Sequence, residues 1–163
     1  MRPTIAELIR GVSWALDERV RPNVEDKWAN SHLQSIGSIL RHVAVRSEGY
    51  QQILIDDIED QKELLSEARS ELAGQSAFDK LTAEIDQTLS ADWPEHKGHR
   101  LVRSLEDESF HHRNVIDQLV IALHEAADTD SVKDLHQKVV DYLRRQIERE
   151  APLFEDTFIG RPF

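Results

Sequence analysis

Residues 28–72 read WANSHLQSIGSILRHVAVRSEGYQQILIDDIEDQKELLSEARSEL, and they decide the fold. The stretch holds no proline. Leu33, Ile36, Leu40, Val43, Tyr50, Leu54, Ile58, Leu65, Ala68 and Leu72 recur along it every three or four positions or at multiples of that step. That spacing keeps one face of an α-helix apolar. Gly49 marks the one obvious place for a break, because glycine in a helix interior costs about 1 kcal/mol. The apolar stripe keeps its phase across Gly49, so the spacing predicts a continuous or merely kinked helix over about residues 24–73, on which the others pack.

The rest of the chain is shorter helices. Thr4-Ile5-Ala6-Glu7 fits a capping box that opens a helix over about 4–20, with Ile5, Leu8, Ile9, Val12, Leu16 and Val20 as its stripe. Trp14 falls on the opposite side, and Pro22 ends the helix. Asn23 is the candidate cap for the long helix. Gly74 supplies a C-terminal stop, and Ser76 with Asp79 opens a helix over about 77–90 that buries Phe78, Leu81, Ile85 and Leu89. Residues 91–99, punctuated by Pro94 and Gly98, read as a loop. A helix over about 99–127 follows, on Leu101, Leu105, Glu108, His112, Ile116, Leu119, Leu123 and Ala126. The next covers about 132–150, on Val132, Leu135, Val139, Tyr142, Leu143 and Ile147, and Pro152 stops it. The tail over 153–163 keeps Leu153, Phe154, Phe158, Ile159 and Phe163, which should lie along the bundle or cover a partner.

Composition narrows the function classes. The chain has 163 residues, which makes one domain of ordinary size, 1–163. It has no cysteine, which removes disulfides, thiolate metal sites and a thiol nucleophile. Net charge is −11, so a phosphate backbone or an anionic membrane meets repulsion, and the expectation is no nucleic-acid and no membrane partner. No apolar run approaches the ~20 residues that span a bilayer, and none of signal-peptide length follows Met1, so a cytoplasmic location is expected.

Polar residues interrupt the apolar stripes. Ser47, Asp57 and Gln61 do so on the long helix. Glu108 and His112 do so one turn apart on the fourth, where i, i+4 spacing lets them touch. Buried charge is costly unless paired. Such residues either fix the register of neighbouring helices or hold something. Facing carboxylates and imidazoles are how helical bundles bind zinc, nickel, iron or manganese. In that alternative Glu108 and His112 supply two ligands, and Asp57 or His42 a third. His32, His96, His99, His124 and His136 read as boundary or solvated residues, and the acidic runs Asp56-Asp57, Glu59-Asp60 and Glu106-Asp107-Glu108 mostly as solvated faces.

Two resemblances add to this reading. Leu40-Arg41-His42-Val43-Ala44, with Glu48 and Tyr50 behind, together with His111-His112-Arg113, resembles the metal-binding helical bundles related to the DinB damage-inducible proteins. Their second motif carries a histidine where this chain has Glu108, and His42 lies off the apolar stripe. This likeness implies a metal-dependent hydrolase or thiol transferase. The start, Arg2-Pro3-Thr4-Ile5-Ala6-Glu7-Leu8-Ile9, and two later segments, Tyr142-Leu143-Arg144-Arg145-Gln146-Ile147-Glu148-Arg149-Glu150 and Gly160-Arg161-Pro162-Phe163, are similar to a family of uncharacterised bacterial all-helical proteins. That family resembles the small helical domain found beside phosphotransferase-type kinases and acyl-CoA dehydrogenases. It implies an accessory or interaction role in the bacterial cytoplasm and brings no catalytic residues.

The expected fold is all-α, a mainly antiparallel four- to five-helix bundle around one long helix. The expected function is a non-enzymatic interaction or accessory module without cofactor, acting on a protein partner or on itself as a homodimer. The alternatives are the metal-dependent bundle enzyme and a carrier of a small apolar ligand.

Overall fold

The computed structural model describes residues 2–126 and 129–155. The protein is all-α, built around a long helix, with one two-residue strand pair among the described residues. In chain order the elements are α1 (Ile5–Ala15), α2 (Lys27–Leu72), α3 (Asp79–Leu89), β1 (Glu95–His96), β2 (His99–Arg100), α4 (Val102–Glu125), α5 (Asp130–Glu150) and α6 (Pro152–Glu155). No helix among the described residues is long and apolar enough to cross a membrane. The chain divides into two compact units, residues 1–51 with 150–163 and residues 52–149, and α2 runs through both.

In the first unit, Thr4 caps α1 in the expected box: Glu7 N–H donates to Thr4 Oγ1 (3.2 Å), and Thr4 N–H donates to Glu7 Oε2 (2.7 Å). The α-helix stops earlier than its stripe suggests. A π turn over Leu16–Val20 and a 3-10 turn over Arg21–Asn23, which contains Pro22, follow it. Asn23 does not cap α2. Its amide bonds back to the Arg19 carbonyl (2.8 Å), while Asp26 accepts from Ala29 N–H (2.8 Å) and takes the capping role. α1 and α2 run antiparallel here, tied by a bidentate pair from Arg10 to Glu48 at 3.0 and 2.5 Å. Ala6 of α1 and Ala44 of α2 are buried in this unit. The expected stripe of α1 is only partly covered: Ile9 and Leu16 are half-buried, while Ile5, Leu8, Val12 and Val20 are exposed. The side of α1 turned to α2 carries Ile9 and Ser13, facing Leu40 and Ala44. In α6, Phe154 sits edge-on to His42, their ring centres 6.3 Å apart, and under the Arg46 guanidinium. Leu153 is buried and Phe154 partly exposed, whereas Phe158, Ile159 and Phe163 of the tail reading lie outside the described residues.

α2 is continuous through Gly49 for 46 residues. Gly49 sits in open space, so nothing wedges the backbone apart there.

In the second unit, the later part of α2 packs with α3, α4 and α5 as a four-helix bundle. Its core is Leu64, Leu65, Ala68 and Leu72 from α2, Phe78, Leu81 and Ile85 from α3, Val115, Ile116, Leu119 and Leu123 from α4, and Val132, Leu135, Val139 and Tyr142 from α5. Gly74 ends α2 at φ +77°, the left-handed stop that glycine adopts without strain. Ser76 belongs to a 3-10 turn rather than serving as the α3 cap. Residues 91–99 are not simply a loop. Glu95 pairs with Arg100 and His96 with His99. Lys97 and Gly98 both have positive φ, 53° and 76°, the requirement of the tight turn that suits a twisted hairpin. A two-residue ladder leaves too few alternations for periodicity to detect. The hairpin delays α4 to Val102, and Ser104 anchors it by donating to the Pro94 carbonyl (2.9 Å). On α5, Leu143 and Ile147 point out of the core rather than into it.

Candidate functional site

The polar residues that break the stripes of α2 and α4 meet inside the second unit. Asp57, Gln61, Glu108, Ser109 and His112 are buried, and Tyr142 of α5 closes the group. Ser47 does not join them: it is exposed and donates to the Ala44 carbonyl (2.8 Å).

Gln61 is the centre. Its Nε2 lies 2.8 Å from Asp57 Oδ2, 3.1 Å from Ser109 Oγ and 3.1 Å from Tyr142 OH. An amide nitrogen has two protons and no lone pair to offer. The carboxylate accepts one, and Ser109 and Tyr142 compete for the other while donating to Asp57 at 3.3 and 3.4 Å. With the nitrogen fixed towards a carboxylate, Gln61 Oε1 must point the other way. It lies 3.2 Å from His112 Nδ1. An acceptor there makes Nδ1 the protonated nitrogen, which leaves a lone pair on Nε2. Nε2 is buried and has no hydrogen-bond partner among the described residues. Burial holds the imidazole neutral and lowers its pKa from 6.5 to about 4. The charge of Glu108 opposes that shift, while Lys62, His111 and Arg100 add to it.

Each carboxylate of the site is claimed by two cations. Arg113 donates to Asp57 Oδ2 (2.9 Å) and Arg149 to Oδ1 (2.8 Å). Arg149 also reaches Asp60 (2.7 Å), and Arg145 holds Asp60 from the other side at 2.6 and 3.1 Å. Burial raises the Asp60 carboxyl pKa, and the two guanidinium groups outweigh it, leaving it below its ordinary value. Glu108 is paired with Arg100, which the hairpin delivers, and with Lys62, whose Nζ lies 2.7 Å from Oε1. Burial pushes Glu108 up too, yet these cations keep it lower than a free glutamate. Tyr142 moves in the other direction: burial, then the nearby Asp57 charge, raises its hydroxyl to about 12, so it stays a proton donor.

Glu108 and His112 therefore share a helix face without bonding to each other. Glu108 turns to Lys62 and Arg100, and His112 turns to Gln61. Asp57 joins His112 through Gln61. His42 belongs to the first unit, against Phe154. Among the described residues, no three His, Cys, Asp or Glu side chains are gathered as ligands for a metal. The remaining histidines that sequence weighed (His32, His96, His99, His124 and His136) are exposed.

Sequence reading found Asp57, Gln61, Glu108 and His112, and missed their partners. Tyr142 looked like one more core residue of α5. Arg145 and Arg149 follow it at helical spacing, so all three stand one turn or two apart on α5. That run was the available signal: it pairs with the Asp57–Asp60–Gln61 spacing of α2.

The chain matches no family model, no curated protein and no solved structure. The site brings α2, α4 and α5 into one register, since a shift of one turn would leave Asp57 or Glu108 buried without a cation. A neutral imidazole with an open Nε2 could also take a proton or a ligand, but the carboxylates that would assist it are held by arginine and lysine.

Proposed function

We propose that the protein is a helical interaction module without chemistry of its own. One observation carries this reading. In the first unit, Ile5, Leu8 and Val12 of α1 are 52–67% exposed, and Trp28, Ile36, Ile39 and Val43 of α2 are 44–77% exposed. Large apolar side chains left bare along two neighbouring helices mark a surface that is covered when the protein works. The buried lattice of the second unit supports the same reading, because its charges are spent on one another.

A photo-crosslinking amino acid placed at Ile39, in the cells that make the protein, tests the proposal. A covalent adduct is expected from Ile39 and not from Ile121, an exposed residue of α4 on the second unit. No adduct from Ile39 would sink the reading.

The lone pair on His112 Nε2 favours a second reading, a metal-dependent bundle enzyme. A histidine whose other nitrogen is braced by a hydrogen bond is typical of metal ligation. The neighbouring side chains fit a metal poorly, since Glu108 and Asp57 are each engaged by two cations. Elemental mass spectrometry on the untagged protein, after incubation with zinc, nickel, iron or manganese, decides it. Stoichiometric metal that His112→Ala abolishes would put the enzyme reading first.

A further inference from the structure

We infer that the apolar surface of the first unit is covered by a second copy of this chain, whose paired α1 and α2 complete a four-helix bundle with those of the first. The inference rests on the interaction reading above and names its occupant.

The spacing comes first. Ile5, Leu8 and Val12 follow one another by three and four residues, and so do Ile36, Ile39 and Val43. A three–four rhythm presents a straight apolar seam to another helix. The seam is separate from the side on which the two helices already meet. On α1 that side carries Ala6, one residue off Ile5 and so about 100° round the helix. On α2 it carries Ala44, offset from Val43 in the same way. Each helix thus has one face spent and one open, and Trp28 extends the open seam of α2. A pair of helices with two open seams is half of an antiparallel bundle.

Area points the same way. Seven side chains at this exposure leave roughly 700 Å² of apolar surface per copy, taking ~180 Å² for a fully exposed large side chain, close to the ~800 Å² per partner of a standard stable interface.

Charge permits a copy. The first unit, residues 1–51 with 150–163, holds eight Arg and Lys against nine Asp and Glu, a net −1, so the other 98 residues carry −10 of the total −11. The bare face lies in a nearly neutral part of the chain, where two copies meet little like-charge repulsion.

Sedimentation velocity on the full chain, over a concentration series from low micromolar upwards, tests this. The expected result is a species of twice 18.8 kDa. Val12→Glu with Ile39→Glu should return it to the monomer, and so should the milder Val12→Ala with Ile39→Ala, each keeping the helical circular dichroism of the wild type. Ile147→Glu, at a residue 70% exposed on the second unit, should leave the dimer intact. A wild-type monomer at every concentration overturns the proposal, and so does a dimer indifferent to both double variants. Either result leaves the broader interaction reading to the Ile39 crosslink, where an adduct to another protein would uphold that reading while removing the second copy.

Discussion

At the scale of single residues, His112 carries a pH signature. Its folded pKa of about 4 lies below the 6.5 of the unfolded chain, so between these values the unfolded state binds the extra proton. Stability is therefore full above about pH 6.5 and falls as pH drops towards 4, by about 2 kcal/mol between pH 7 and 5 on the usual conversion. Urea unfolding at the two pH values should show this loss. His112→Asn, whose amide can keep the donation to Gln61, should abolish most of it. Glu108 acts in a separate window. Its carboxyl lies below 4.5, so its contribution is present above that value and is lost on further acidification. Glu108→Gln should cost about 2 kcal/mol at neutral pH, less than the 3–5 usual for a broken buried pair, because the Lys62 head reaches water. Equilibrium denaturation measures it. The sequence exposed this site only in part. Asp57, Gln61, Glu108 and His112 stood out because each broke an apolar rhythm. Arg100, Arg113, Arg145 and Arg149 did not, because arginine on a helix flank is ordinary until the fold turns it towards a buried carboxylate.

At the scale of elements, two glycines, Gly49 inside α2 and Gly74 just past its end, should respond in opposite ways. Gly49 lies mid-helix with room for a methyl group, so Gly49→Ala should raise stability by up to about 1 kcal/mol. Gly74 holds φ +77°, so Gly74→Ala should lower it by about 1 kcal/mol although its Cβ would touch nothing. Thermal melts of the two variants against wild type give both signs. Helix existence was legible from periodicity, and α2 most plainly, since its stripe ran through Gly49 without losing phase. The ends were less so. Asp26 displaced Asn23 as cap, and a π turn replaced the last turn of α1, because both depend on which local hydrogen bonds compete best. The stripe of α1 was legible only in part: Ile9 and Leu16 are half-buried, but buried Ala6 leaves no mark in a pattern of large residues.

At the scale of the whole molecule, charge and apolar surface are segregated. Copies carrying −11 each repel at long range, and salt screens that repulsion without weakening apolar contact. Raising salt should therefore tighten self-association, and sedimentation at low and high ionic strength would show it; an interface held mainly by ion pairs would loosen instead. The hairpin has a different bearing on the whole. The Lys97–Gly98 turn at its tip is exposed, with a lysine side chain and a backbone bent into the left-handed region. A trypsin nick there yields a piece with α1, α2 and α3 and a piece with α4, α5 and α6. Asp57, Gln61 and Lys62 go with the first piece, while Arg100, Glu108, His112, Arg113, Tyr142 and Arg149 go with the second. The first piece keeps Asp57 without Arg113 and Arg149, and the second keeps Glu108 with Arg100 but without Lys62. The tip is thus a natural place to split the protein into two separately made fragments that recognise each other by charge as well as by shape.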